Sequence, residues 1–133
     1  GGPPLEQPAD LAQYPLLHED PWIDHLGRLH DITWSQWFDE VGTGGVDASR
    51  GLHFAQTHMS LQAAIAGQGV ALTNRVIAGD DLQSGRLVRA LPHEVRLDSS
   101  YWLICPETTV AQPRIAAFRT WLLEEAAAER GRD

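Results

Sequence analysis

Residues 52–91, LHFAQTHMSLQAAIAGQGVALTNRVIAGDDLQSGRLVRAL, constrain the fold of this chain more than any other stretch. They open with an apolar run of strand length, residues 52–55, followed by a polar corner, Gln56, Thr57 and His58. A small-residue helix is expected over residues 59–66, broken by Gly67 and Gly69. Val70, Ala71 and Leu72 then read as a strand apolar on both faces, the pattern of burial from two sides. Strand, helix and strand in so short a span predict a βαβ unit, whose crossover is almost always right-handed. That geometry puts the carboxyl end of the first strand and the amino end of the helix at one sheet edge, where open α/β sheets bind ligands.

The remainder supplies further elements of the same kind. Residues 1–9, rich in Gly and Pro, read as an irregular lead-in, and Asp10 and Leu11 start a helical turn. Residues 14–17 read as a short buried strand ending at His18. Residues 18–30 form a loop, and a loop of that length in a compact domain is often functional. Asp31 is the expected N-cap of a helix running to Val41 and stopped by Gly42, with Ile32, Trp34, Trp37, Phe38 and Val41 on one stripe. Residues 42–51 are a glycine-rich loop. After the central stretch come a short turn or helix at 75–78, another at 80–82, and strands at 87–91 and 101–105. A last helix over residues 113–129 has Pro113 at its first turn, where proline is well tolerated.

Composition narrows the function classes. The 133 residues carry 18 acidic side chains against 10 basic ones, all arginine, for a net charge of −8. An acidic surface repels phosphate backbones, so the chain is not expected to bind DNA by itself. No apolar run reaches the ~20 residues of a membrane span. The one cysteine, Cys105, sits in an apolar run and reads as a core residue in a reducing compartment.

Reactive chemistry finds little footing. The six histidines include no HExxH or HxH spacing and no Cys/His set, so no metal site is expected. No serine lies in a G-x-S-x-G elbow, and the acid pairs Glu19-Asp20, Asp39-Glu40 and Asp80-Asp81 read as solvated turn residues. Residues 42–45 lack the lysine of a phosphate loop. Neither a catalytic residue nor a cofactor is expected. The polar corner has the stronger case: Thr57 is placed to cap the helix with its hydroxyl, leaving first-turn N–H groups for a carboxylate, and His58 adds a further hydrogen-bond donor. Arg75, just past the strand at residues 70–73, lies at the same edge with a full positive charge. Trp22 and His18 face that crevice if their loop folds over the sheet edge.

Four motifs in order, Phe54 ahead of LQAAIAGQGVAL, then DDLQSGRLVRAL, YWLICPE and PRIAAFRTWLLEE, resemble the C-terminal half of a LysR-type transcriptional regulator. Within that family they are most similar to the branch of glycine-cleavage activators and β-lactamase regulators. The resemblance covers residues 8–125. It implies an α/β fold: a mixed open sheet flanked by helices, forming a lobe like those of type 2 periplasmic binding proteins. Residues 1–111 would be the second lobe of an effector-binding domain, and residues 112–133 a helix returning to a first lobe. An N-terminal winged helix-turn-helix and most of the first lobe would lie outside this chain, which is then a piece of a longer protein.

The implied function is sensing of a small-molecule effector, an amino acid or a cell-wall-derived ligand, in a cytoplasmic bacterial regulator that is a homodimer or homotetramer. DNA would be reached only through the missing helix-turn-helix, with no membrane partner. In the family the polar corner is the second-lobe half of the effector site, which carries over by position to Thr57 and His58. The rival from another class is the solute-binding receptor of a transport system, which shares the architecture. A small enzyme is a third reading, for which no catalytic constellation is present.

Overall fold

The computed structural model describes residues 3–20, 32–97 and 102–130. The chain divides into two compact units, residues 1–98 and 99–133. The first is built on a three-stranded sheet: β1 (Leu16–Glu19), β2 (Gly51–Phe54) and β3 (Val70–Ala71). Its strand order is β2-β1-β3, and both pairings are parallel. Three helices accompany it, α1 (Trp34–Glu40), α2 (Thr57–Ile65) and α3 (Arg75–Gln83), with a 3-10 helix at Pro8–Gln13 ahead of β1.

The central strand is the one at residues 16–19, which corrects the expectation from the 52–72 segment. β2 and β3 are the two ends of the βαβ crossover, yet β1 lies between them. Leu16 and Leu17 are both only 1% exposed, because a parallel strand flanked on both sides is covered on both faces. Val70 and Ala71, read as buried from two sides, form an edge strand and are partly buried. The flanking strands come close enough to β1 that glycine is required. A Cβ on Gly51, whose φ is +133°, would stand 1.7 Å from the Leu16 carbonyl oxygen. One on Gly69 would stand 2.3 Å from that of Pro15, the carbonyl that receives the Val70 N–H.

One core cluster joins Leu11, Leu16 and Leu91 to Trp34, Trp37 and Phe38 of α1, with Val70 and Leu72 packed against it. Trp34 and Trp37 meet edge to face at 5.7 Å, an arrangement the ring quadrupoles favour. The indole N–H of Trp34, buried with the ring, donates to the Leu17 carbonyl at 3.0 Å and anchors α1 to β1. On the other side α2 contributes Ser60, Leu61 and Ala63, all buried.

Helix starts differ from expectation in instructive ways. The α1 cap is Thr33; the expected cap, Asp31, lies outside the described residues. Thr33 and Gln36 form a reciprocal capping box, the Thr33 N–H donating to Gln36 Oε1 at 2.9 Å and the Gln36 N–H to Thr33 Oγ1 at 3.3 Å. The two turns expected at 75–78 and 80–82 are one helix, α3, capped by Asn74, whose Oδ1 accepts from the Val76 N–H at 2.8 Å. Ahead of β1, the backbone N–H of Glu6, then that of Gln7, bonds the Asp10 carboxylate and holds its pKa below the usual value.

Two expected strands are absent among the described residues. Residues 87–91 curl instead of extending: the Leu87 N–H donates to the Asp81 carbonyl, and Arg89 turns back on the Leu91 and Pro92 carbonyls and on Glu94. Leu91 still reaches the core. Residues 102–105 form no ladder, and Tyr101 lies outside the described residues. The described sheet is therefore wholly parallel, without the antiparallel member that a mixed sheet contains. In the second unit the Gln112 carbonyl accepts from Ile115 and Ala116, opening α4 (Pro113–Arg130), on which Phe118 and Trp121 lie 5.7 Å apart. Among the described residues no helix is long and apolar enough to cross a membrane.

Candidate functional site

Parallel strands end at one edge, and here that edge collects Glu19 from β1, residues 55–57 after β2, and residues 72–75 after β3. The amino ends of α2 and α3 open at the same edge, because each helix follows its strand through a connection of two or three residues. Polar side chains are therefore concentrated where the strand order turns back on itself.

Glu19 is the residue around which the edge is arranged. Its neighbours in β1 alternate between the faces of the sheet, and Glu19 points to the α2 side. Thr57 Oγ1 donates to Glu19 Oε2 at 2.7 Å, and Ser60 Oγ lies 2.6 Å from Glu19 Oε1. The Ser60 hydroxyl also lies 2.8 Å from the Thr57 carbonyl, so its one proton is shared between two acceptors. Ser60 is fully buried, at 0% exposure, which leaves its hydroxyl dependent on these partners. A carboxylate at this position also meets the positive end of the α2 dipole.

This geometry overturns the capping role expected of Thr57. The α2 cap is Gln56, and Thr57 is the first helical residue, with its hydroxyl spent on Glu19. The protein's own carboxylate, Glu19, lies beside the first turn of α2, held by hydroxyls of that helix. Glu19 itself was read from sequence as half of a solvated acid pair. The signal that marks it is its position one strand-period beyond Leu17, at the carboxyl end of the buried run.

The other candidates are distributed around the edge. His58 is exposed at the second position of α2, and Arg75 is exposed at the first of α3. A cation is the residue type least favoured by a helix amino terminus, so Arg75 is not there for the sake of α3 alone. His18 lies on the opposite face of β1 from Glu19. Its ring stacks on that of His53, its register partner in β2, with centroids 4.3 Å apart and planes 8° from parallel. Its Nε2 is 2.9 Å from the Arg50 carbonyl oxygen. Trp22 lies outside the described residues. Thr73 adds a hydroxyl oxygen that is buried without a hydrogen-bond partner. Continuing the β1–β3 register two residues past Ala71 sets Thr73 beside Glu19. Among the described residues no three His, Cys, Asp or Glu side chains come together as a metal-holding group.

An open parallel sheet with helix amino ends gathered at its carboxyl edge defines an α/β lobe, and its sequence places that lobe in a family: the chain belongs to the LysR substrate-binding domain family, whose model matches residues 1–127. It is 36% identical over 129 residues, 97% of this chain, to the glycine cleavage system transcriptional activator of Escherichia coli K12. It is 34% identical over 130 residues, 96% of the chain, to the transcriptional activator AmpR of Pseudomonas aeruginosa. The chain spans 39% and 40% of those relatives' lengths. The X-ray structure of the AmpR effector domain from Pseudomonas aeruginosa superposes with a TM-score of 0.63 at 31% identity, covering 95% of this chain and 57% of that one. These relatives are named as regulators of transcription rather than as transport receptors.

Proposed function

We propose that this chain is the second lobe of a metabolite sensor in a bacterial, cytoplasmic LysR-type regulator of transcription, and that it works by binding and not by catalysis. Residues 1–111 form that lobe, and residues 112–133 return to a first lobe elsewhere in the protein. The observation that carries the reading is the convergence of three strand ends and two helix amino ends on one edge, with Thr57 and Arg75 on it. A small effector held between two lobes favours one lobe orientation. A homodimer or homotetramer passes that bias to a helix-turn-helix outside this chain. The effector must bind the two orientations with different affinity, since equal affinity shifts nothing. Similarity to glycine-cleavage and AmpR activators supports an amino acid or a cell-wall-derived ligand.

The test is a promoter-reporter assay on the full regulator. Thr57→Val removes the hydroxyl that holds Glu19, and Arg75→Ala removes the cation at the α3 amino end. Both are expected to cut the inducer response by about tenfold, the worth of one charge-assisted contact, while promoter occupancy without inducer is unchanged. Full induction in both variants would remove this edge as the effector site.

A further inference from the structure

The charge at this edge selects among effectors. We infer that Glu19 is a specificity-determining residue that receives a protonated amine of the effector, an inference that rests on the sensor reading above. Three observations lead there. Glu19 stands at the carboxyl end of the central strand, the edge at which open α/β sheets bind ligands. Its carboxylate is already oriented, both oxygens held at 2.6–2.7 Å by the hydroxyls of Thr57 and Ser60, so binding need not order it. And among the described residues no cationic side chain pairs with it; the ion pairs are Arg86 with Asp81 and Arg89 with Glu94.

A half-buried carboxylate with no cation beside it among the described residues is an unbalanced charge, which hydroxyl donors and a helix dipole offset only in part. Each of its oxygens has a second lone pair, so an ammonium N–H can be accepted without displacing Thr57 or Ser60. The same charge repels a ligand carboxylate from the α2 amino end and directs it elsewhere in the cleft. An effector that carries both groups is thereby oriented, amine toward β1 and α2. An effector that carries only carboxylates is rejected.

Calorimetric titration of the full regulator with glycine, glycinamide, N-acetylglycine and acetate separates the possibilities. Glycine and glycinamide, which keep the ammonium, are expected to bind. N-acetylglycine, which has lost it, and acetate are expected to bind at least about tenfold more weakly. In Glu19→Gln the amide oxygen still accepts from a hydroxyl, and the affinity for both amines is expected to fall by about tenfold or more. Glu19→Asp, which keeps the charge on a shorter arm, is expected to lose less.

N-acetylglycine binding as tightly as glycine overturns the inference without recourse to any variant. So does Glu19→Gln binding glycine like the wild type. A wild type that binds neither amine, yet whose reporter responds to a metabolite extract, overturns the amine assignment and leaves sensing intact. A reporter that responds to no metabolite overturns both.

Discussion

Trp34 shows how a single side chain ties two elements together. Its ring belongs to the apolar stripe that the 32–41 periodicity marks, but its indole N–H has a separate task, donating to the Leu17 carbonyl. That carbonyl belongs to the strand on which Glu19 stands, so the packing of α1 and the position of the site share a bond. Trp34→Phe keeps most of the apolar contact and removes the donor. The buried carbonyl then loses its indole donor, and the expected loss is about 1 kcal/mol in urea unfolding. A loss within error of zero would mean that another donor replaces the indole. The contrast with Glu19 is one of visibility. The tryptophan is legible in sequence because hydrophobic periodicity repeats. The glutamate is not, because its partners Thr57 and Ser60 come from a segment 38 and 41 residues away.

At the scale of elements, the parallel pairing explains two glycines that look in sequence like ordinary loop punctuation. Gly51 and Gly69 sit where β2 and β3 begin to pair with β1, and in each case a Cβ would enter the space of a backbone carbonyl. Gly51→Ala adds strain at positive φ to that overlap, and about 3 kcal/mol of destabilisation is expected, read as a lower denaturant midpoint. An unchanged midpoint would mean that β2 does not lie against β1 in this register. Helix extents were broadly legible: α1, α2 and α4 fall on the stretches that periodicity and glycine breaks mark out. Their caps were less so, because Asp31, Thr33, Gln56 and Thr57 are all reasonable capping residues or neighbours of one, and only the approach of the chain decides among them. The strand expected at 87–91 fails for a related reason. Alternation there is apolar enough, but Arg89 and the Leu87 N–H find local carbonyls, and among the described residues no neighbouring strand competes for them.

For the molecule as a whole, the balance of 18 acids to 10 arginines sets how the chain meets nucleic acid. The present 133 residues are expected to show no mobility shift on promoter DNA at low salt, where backbone attraction is strongest. A salt-sensitive shift by this chain alone would place a DNA contact within these residues and overturn the expectation drawn from their charge.

What the sequence determined by itself was local or repetitive: apolar runs of strand length, helical stripes, the glycine breaks, the charge balance, and four motifs in the order of a LysR effector domain. Each depends on residues within a few positions of one another, or on a sum over all of them. What only the tertiary structure decided was order and company. β1 is inserted between β2 and β3, although it precedes both in the chain, and that insertion makes residues 16–17 the doubly covered strand. The same insertion carries Glu19 to the amino end of α2, where the hydroxyls of Thr57 and Ser60 hold it. Strand order depends on pairings far apart in sequence, whose loop-closure entropy is small against the burial gained, so nothing local announces it.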